Sequence, residues 1–354
     1  MSAFSGPSSS VSSPGHFPAL DGLRGVAALA VLVLHLPPLA GYVFHGYLAV
    51  DLFFIMSGFV VAHAYERRLL GGWSLSAFIR TRIVRLWPLY LLGTAIGAGI
   101  FASVAGDASG FAALTVLVAA AVFLIPLPLG AEVQVFDLNR PAWSLFFEMV
   151  ANIVYAAFAS GLSNRVLAII VGLGALTLAA CVLTAGTGSL GHHAESFAGG
   201  AARIAFGFPT GVLLYRAHVA GRLTMRVPAP LVFGLFAALL VLPDVEGWNG
   251  VIDLMIVLMA FPVLIAGAVA ATVSERTGRF CLFVGALSYP LYILHGPVLM
   301  GFGQAFGETL APVLAGGATS LLAAWAAGRW YDAPARAFLS NLLTPRRPVP
   351  DTAA

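Results

Sequence analysis

Arg24 and His35 stand eleven residues apart in a run that is otherwise almost wholly apolar. At 3.6 residues per turn that is nearly three turns, so on a helix both project from one face, roughly 16 Å apart along the axis. Ionisable side chains in such a run are costly and mark functional sites by default. A guanidinium suits a phosphorylated ligand, and an imidazole suits general-base work on a hydroxyl. Spaced this way, Arg24 could hold a phosphorylated donor at one face of a bilayer while His35 activates an acceptor deeper in it. The plainer alternative is an interfacial Arg snorkelling to water and a His satisfied inside a bundle.

Other polar residues fall at helical spacing. Ser144, Glu148, Asn152 and Tyr155 make one stripe, and Ser288, Tyr292 and His295 another. Lipid rejects such stripes, so they face the protein interior or a wet cavity. Glu148 and His295 are expected to act on acceptor hydroxyls or to bond one another; interhelical polar contacts are the structural alternative. Asp51 lies about a turn inside the second apolar segment, in the layer of His35. A carboxylate there could fix the imidazole tautomer; a backbone-bonding Asp is the alternative. Ser57 and Gly58 read as packing residues. Arg82 and Arg85 share a face beside Trp87 and Tyr90, as a ligand site or as a basic interface with its aromatic belt. His45, His63, His192 and His193 suggest no role. Cys181 and Cys281 read as small packing residues without metal spacing.

The elements that must position these groups are membrane helices. Of 354 residues, 60% are hydrophobic and 9% charged, against about 25% charged in a soluble domain; the mean hydropathy is +0.94. All 18 basic residues are Arg, which excludes a lysine nucleophile, and no basic cluster is dense enough for nucleic acid. Eleven apolar segments follow, near 22–37, 47–65, 86–105, 110–127, 142–161, 165–185, 199–216, 229–243, 251–272, 282–301 and 310–328. Pro or Gly punctuates most junctions. The expected fold is all-α, a polytopic transmembrane helical bundle, with a Ser/Gly/Pro-rich tail over 1–16 and a short tail over 339–354.

Arginines after the second segment, before the eighth, before the tenth and at the end of the chain place those loops in the cytoplasm. Eleven crossings break that parity between Arg85 and Arg216. Ten crossings with both termini cytoplasmic are therefore expected, one segment failing to cross. The candidates are one half of 86–127 or the 199–216 segment, which contains Arg203 and Pro209.

Five motifs in order resemble the acyltransferase 3 family of membrane acyltransferases over about residues 17–338. They are Phe17-Pro-Ala-Leu-Asp21-Gly-Leu-Arg24 continuing to His35, Gly46-Tyr-Leu-Ala-Val-Asp51-Leu-Phe-Phe-Ile-Met-Ser57-Gly58, and Phe78 with Arg82, Arg85, Pro88 and Tyr90. Trp143-Ser-Leu-Phe-Phe-Glu148 with Tyr155, and Leu287-Ser288-Tyr-Pro-Leu-Tyr292-Ile-Leu-His295-Gly-Pro297, complete the set. Asp332-Ala-Pro334 stands where many members carry Glu-x-Pro. The resemblance implies transfer of an acyl group, usually acetyl from acetyl-CoA, to a hydroxyl of an envelope glycan, lipid-linked sugar or secondary metabolite, in an inner membrane.

On this reading acyl-CoA is a co-substrate and no cofactor is bound permanently. His35, Asp51 and Glu148 are the expected catalytic groups. Arg24, Arg82 and Arg85 would hold the CoA phosphates, and Trp143, Ser288, Tyr292 and His295 the acceptor. The rival reading is a proton-coupled secondary transporter with buried Asp, Glu and His as coupling groups, though no repeated halves are visible.

Overall fold

The computed structural model describes residues 16–128 and 134–343, with eleven principal helices and no β-strand among them. These are α1 Pro18–Leu34, α2 Ala49–Leu70, α3 Leu75–Val104, α4 Ala108–Val122, α5 Ala142–Phe158 and α6 Asn164–Ala185. Then come α7 Phe197–Val219, α8 Ala229–Leu240, α9 Asn249–Val269, α10 Glu275–Phe306 and α11 Leu310–Leu343. Each corresponds to one apolar segment of the sequence. Eight are long and apolar enough to cross a membrane, while α1, α4 and α8 have 17, 15 and 12 residues.

The expected tails lie outside the described residues except for His16, whose Nε2 is 2.7 Å from Asp21, and residues 339–343. α11 runs past residue 338 to Leu343, where its last turn packs on α3 and Arg80 donates to the Leu343 carbonyl at 3.4 Å.

Polar contacts between helices fix which ends lie together. Glu66 late in α2 pairs with Arg216 late in α7 at 2.7 Å, and Arg216 also donates to Leu162 and Asn164 where α5 gives way to α6. At the opposite face Asp51 and Arg203, early in α2 and α7, pair with each other, and Asp253 early in α9 accepts from His45 and Tyr47 just before α2. Short as α8 is, it joins the same two faces as α9. Its start bridges to Thr272, and its last carbonyl, at Leu240, accepts from the His45 N–H. Ten helices thus alternate between two faces, and the first and last described residues share the arginine-bearing one.

The eleventh segment behaves differently. α4 starts beyond the end of α3 but stops beside its middle, where Trp87 donates to the Val122 carbonyl at 3.0 Å and Tyr90 to that of Ala121 at 2.6 Å. Leu124 turns the chain at φ 56°, a conformation uncommon for a branched residue. Leu138 then lies against Gly97 and Asn139 against Gly93, back towards the face from which α4 came. The segment that fails to cross is therefore the second half of 86–127. The 199–216 segment crosses, its Arg203 neutralised by Asp51.

Glycines let the site-bearing helices approach. A Cβ at Gly58 would collide with the Phe208 backbone, and one at Gly211 with that of Ile55, which locks α2 against α7. Gly25 meets Val284 and Gly285 meets Asp21 in the same way. That close contact of α1 with α10 brings Arg24 onto Ser288.

Candidate active site

One cavity at the arginine end collects most of the sequence candidates. Arg24, Arg82, Arg85, Glu148, Ser144, Ser288 and Tyr292 line it, with Phe53, Ser57 and Tyr289. The walls come from α1, α2, α3, α5 and α10, so no single hairpin builds it.

The three arginines are not equivalent. Arg24 donates from Nε to Ser288 at 2.8 Å, and from Nη2 to Asp21 at 2.9 Å and to the Gly285 carbonyl at 3.1 Å. Arg82 is buried and donates to Glu148 Oε1 at 2.8 Å, an oxygen that also accepts from Ser57 at 2.8 Å. Arg85 has no ion pair or hydrogen bond from its guanidinium to any described residue. It is the cation of this cavity with its donors free. Ser57 is more than the packing residue its sequence suggested, because its hydroxyl orients Glu148.

His35 lies on a second cavity, at the far face, with Asp137, Arg140, Gly296 and Glu308. Its Nδ1 is 2.8 Å from the Val31 carbonyl. A carbonyl only accepts, so Nδ1 carries the hydrogen and the Nε2 lone pair is left free. His295 repeats this arrangement from α10: its Nδ1 donates to the Leu291 carbonyl at 3.1 Å, and its buried Nε2 has no partner. The two rings meet at 4.9 Å between centroids.

Ser144 and Tyr292 of the arginine cavity lead towards His35 through His295, whose ring lies 6.0 Å from that of Tyr292. The Ser144 and Tyr292 hydroxyls are 2.7 Å apart, and the Tyr292 ring packs edge-on to Phe53 at 5.4 Å. Glu148 and His295, which the sequence allowed to bond each other, do not: Glu148 serves Arg82 and Ser57, and His295 is tied to its own helix.

Two sequence expectations are corrected by position. Asp51 does not orient His35. Arg203 takes both its carboxylate oxygens, at 3.0 and 2.7 Å, and both side chains are 2% exposed. The remaining Arg203 donors reach the Leu190 and Tyr47 carbonyls, so the pair is a closed structural unit. Trp143 lines neither cavity. It packs beneath Arg203, 5.2 Å from ring centroid to guanidinium carbon, and against Gly191 and His192. The partner of Asp51 was missed although a signal existed: an Arg inside an apolar helix requires a buried acid. Arg140 was missed because it sits alone in a loop.

The bundle is that of a polytopic membrane protein with a polar cleft opening from each face. The chain matches the family model described as an acyltransferase domain over residues 17–329, and it belongs to the acyltransferase 3 family of membrane acyltransferases. It is also similar to a Rhizobium radiobacter protein described as "Protein 2 in picA locus", with 38% identity over 189 residues that cover 48% of this chain and 96% of the relative. No solved structure matches it.

Proposed function

We propose that this acyltransferase moves an acyl group, acetyl in the simplest case, from acyl-CoA in the arginine cavity to a hydroxyl of a carbohydrate-containing acceptor in the opposite cavity. The single observation that carries the reading is the position of His35. His35 lines one cavity, and its ring packs at 4.9 Å on His295, which in turn packs at 6.0 Å on Tyr292 in the lining of the other. The arginine-rich face is the cytoplasmic one by the charge rule, which puts both termini inside and suits an inner membrane.

Arg24, Arg82 and Arg85 anchor the phosphates of the donor, and Arg85 has the most to offer because its guanidinium donors bond to no described residue. The acceptor O–H gives its proton to His35 Nε2 as the oxygen attacks the thioester carbonyl. The tetrahedral adduct collapses, the C–S bond breaks, and the proton returns from the imidazolium to the leaving thiolate. Free CoA and the O-acyl ester result, with no net proton taken up. Ser144 and Tyr292 lie where they can donate to the carbonyl oxygen as it gains charge. Direct transfer is the simpler route, since no Ser or Cys nucleophile motif accompanies His35.

The test is acyl-CoA turnover by purified protein, with mass spectrometry of envelope glycans and small products from wild-type and deletion strains. Removing a general base costs about 10²- to 10⁴-fold in rate, so His35→Ala should lose that much kcat while still binding acyl-CoA. Near wild-type turnover in a well-folded His35→Ala protein would transfer the role to His295. Solute flux without acyl-CoA consumption would replace the enzyme by a transporter.

A further inference from the structure

The cavity around His35 holds three charged side chains to which the reaction assigns nothing. Asp137 and Arg140 come from the chain returning after α4, and Glu308 from the turn between α10 and α11. They share one cavity of about 460 Å³, within the ~300–1,000 Å³ of small-molecule sites. Yet none of the three side chains makes an ion pair or hydrogen bond with any described residue. Asp137 feels the charge of Arg140 without bonding to it. The hydrogen-bonding capacity of all three thus stays open beside His35.

Their chemistry selects a ligand. The guanidinium offers only donors and the carboxylates only acceptors, so the wall presents both kinds. A sugar hydroxyl is donor and acceptor at once, whereas an anion needs donors alone and a metal ion acceptors alone. Pro297, Met300 and Phe302 add apolar surface to the same wall, which fits the C–H face of a pyranose ring. The charge is also unbalanced. Two carboxylates face one guanidinium, and the neutral His35 leaves the cavity at about −1, repelling a carboxylate or phosphate at close range.

We infer that this cavity is the acceptor-recognition site, that Asp137, Arg140 and Glu308 read the hydroxyls of a neutral or amino sugar, and that it discriminates against acidic sugars. The inference rests on the reading of the acceptor as a glycan bound at the face away from the arginine cavity. It goes further by naming the reading residues and the charge class of the sugar.

The experiment is a glycan array carrying neutral, amino, uronate and phosphorylated oligosaccharides, probed with fluorescently labelled full-length protein in detergent. Acyl-CoA binding and His35-dependent acyl-CoA turnover are measured on the same preparation. The strongest signals should come from neutral and amino glycans. Arg140→Ala and Asp137→Asn should each weaken them about tenfold, the scale of one charge-assisted hydrogen bond. Glu308→Gln should weaken neutral binding and raise the signal from uronates. Because the three side chains hold nothing else, all three variants should melt with the wild type. Strongest binding to acidic glycans, a blank array, or unchanged signals in all three variants would each overturn the inference. A blank array with acyl-CoA turnover intact removes only this site; loss of acyl-CoA binding and turnover in the wild type removes the transferase reading beneath it.

Discussion

Asp51 and Arg203, 152 positions apart in the chain, hold each other through two hydrogen bonds of 3.0 and 2.7 Å with both side chains 2% exposed. Breaking a buried pair by removing one partner typically costs about 3–5 kcal/mol, because the other charge is left uncompensated. Asp51→Asn should therefore lower the detergent melting temperature sharply. The double variant Asp51→Leu/Arg203→Met should recover much of the loss. If Asp51 only holds α2 to α7, its effect on turnover in surviving folded protein should add to that of His35→Ala. Strong non-additivity in kcat would return Asp51 to the reaction.

The two arginines proposed to hold the donor, Arg82 and Arg85, differ in what else they hold. Arg85→Gln removes a free guanidinium, so it should raise the apparent acyl-CoA KM roughly tenfold or more, with kcat and melting temperature little changed. Arg82→Gln should raise KM too, but also cost stability, since Glu148 loses its cation. An unchanged KM in both, measured with dissociation fast relative to chemistry, would make them interfacial residues.

Acid should loosen the loop between α6 and α7. His192 lies there, outside the helices, and burial, aided by the charges of His193 and Arg203, pushes its imidazole down to about 4. In the unfolded chain the same group protonates near 6.5. Between those values the unfolded state binds the extra proton, so stability is complete above about 6.5 and declines as the pH falls towards 4. Melting curves in detergent across that window should show the decline, and His192→Asn should flatten part of it. An identical slope in the variant would assign the acid sensitivity elsewhere.

Topology is directly measurable. Reporters fused after Arg68 and after Leu343 should both read cytoplasm, and one in the 244–250 loop the opposite side. A reporter after Val122 should not read cytoplasm, because α4 ends beside the middle of α3. Cytoplasmic activity at that position would make α4 a full crossing.

Much of this was legible in the residues, and the rest was hidden for physical reasons. Apolar length located all eleven helices, since burial in lipid leaves a continuous signal. The eleven-residue spacing put Arg24 and His35 on different cavities, and the stripe from Ser144 to Glu148 found the cavity wall. The loss of parity could be read too, though not its place, because α4 is as apolar as a crossing helix and only its contacts with Trp87 and Tyr90, and the packing of the returning Leu138 on Gly97, show where it stops. Asp51 misled because adjacent helices share layers with several neighbours, and only packing through Gly58 and Gly211 decides which neighbour is met. Arg203, which counted against its helix crossing, is what lets Asp51 be buried there.

Clefts entering from both faces make the Phe53–Tyr292–His295 wall a seal as well as a junction. A membrane potential of 100 mV is worth about 2.3 kcal/mol to each elementary charge that finds a way through. A continuous file of water from the arginines to His35 would therefore be an ion leak across the membrane that holds the bundle. Along that line Tyr292, 5.4 Å from the Phe53 ring and 2.7 Å from the Ser144 hydroxyl, packs on His295 at 6.0 Å, and His295 on His35 at 4.9 Å. Any demand for insulation thus falls on the same few side chains to which the proposed reaction assigns turnover, and a substitution that shrinks Phe53 or Tyr292 should be felt first as ion leakage.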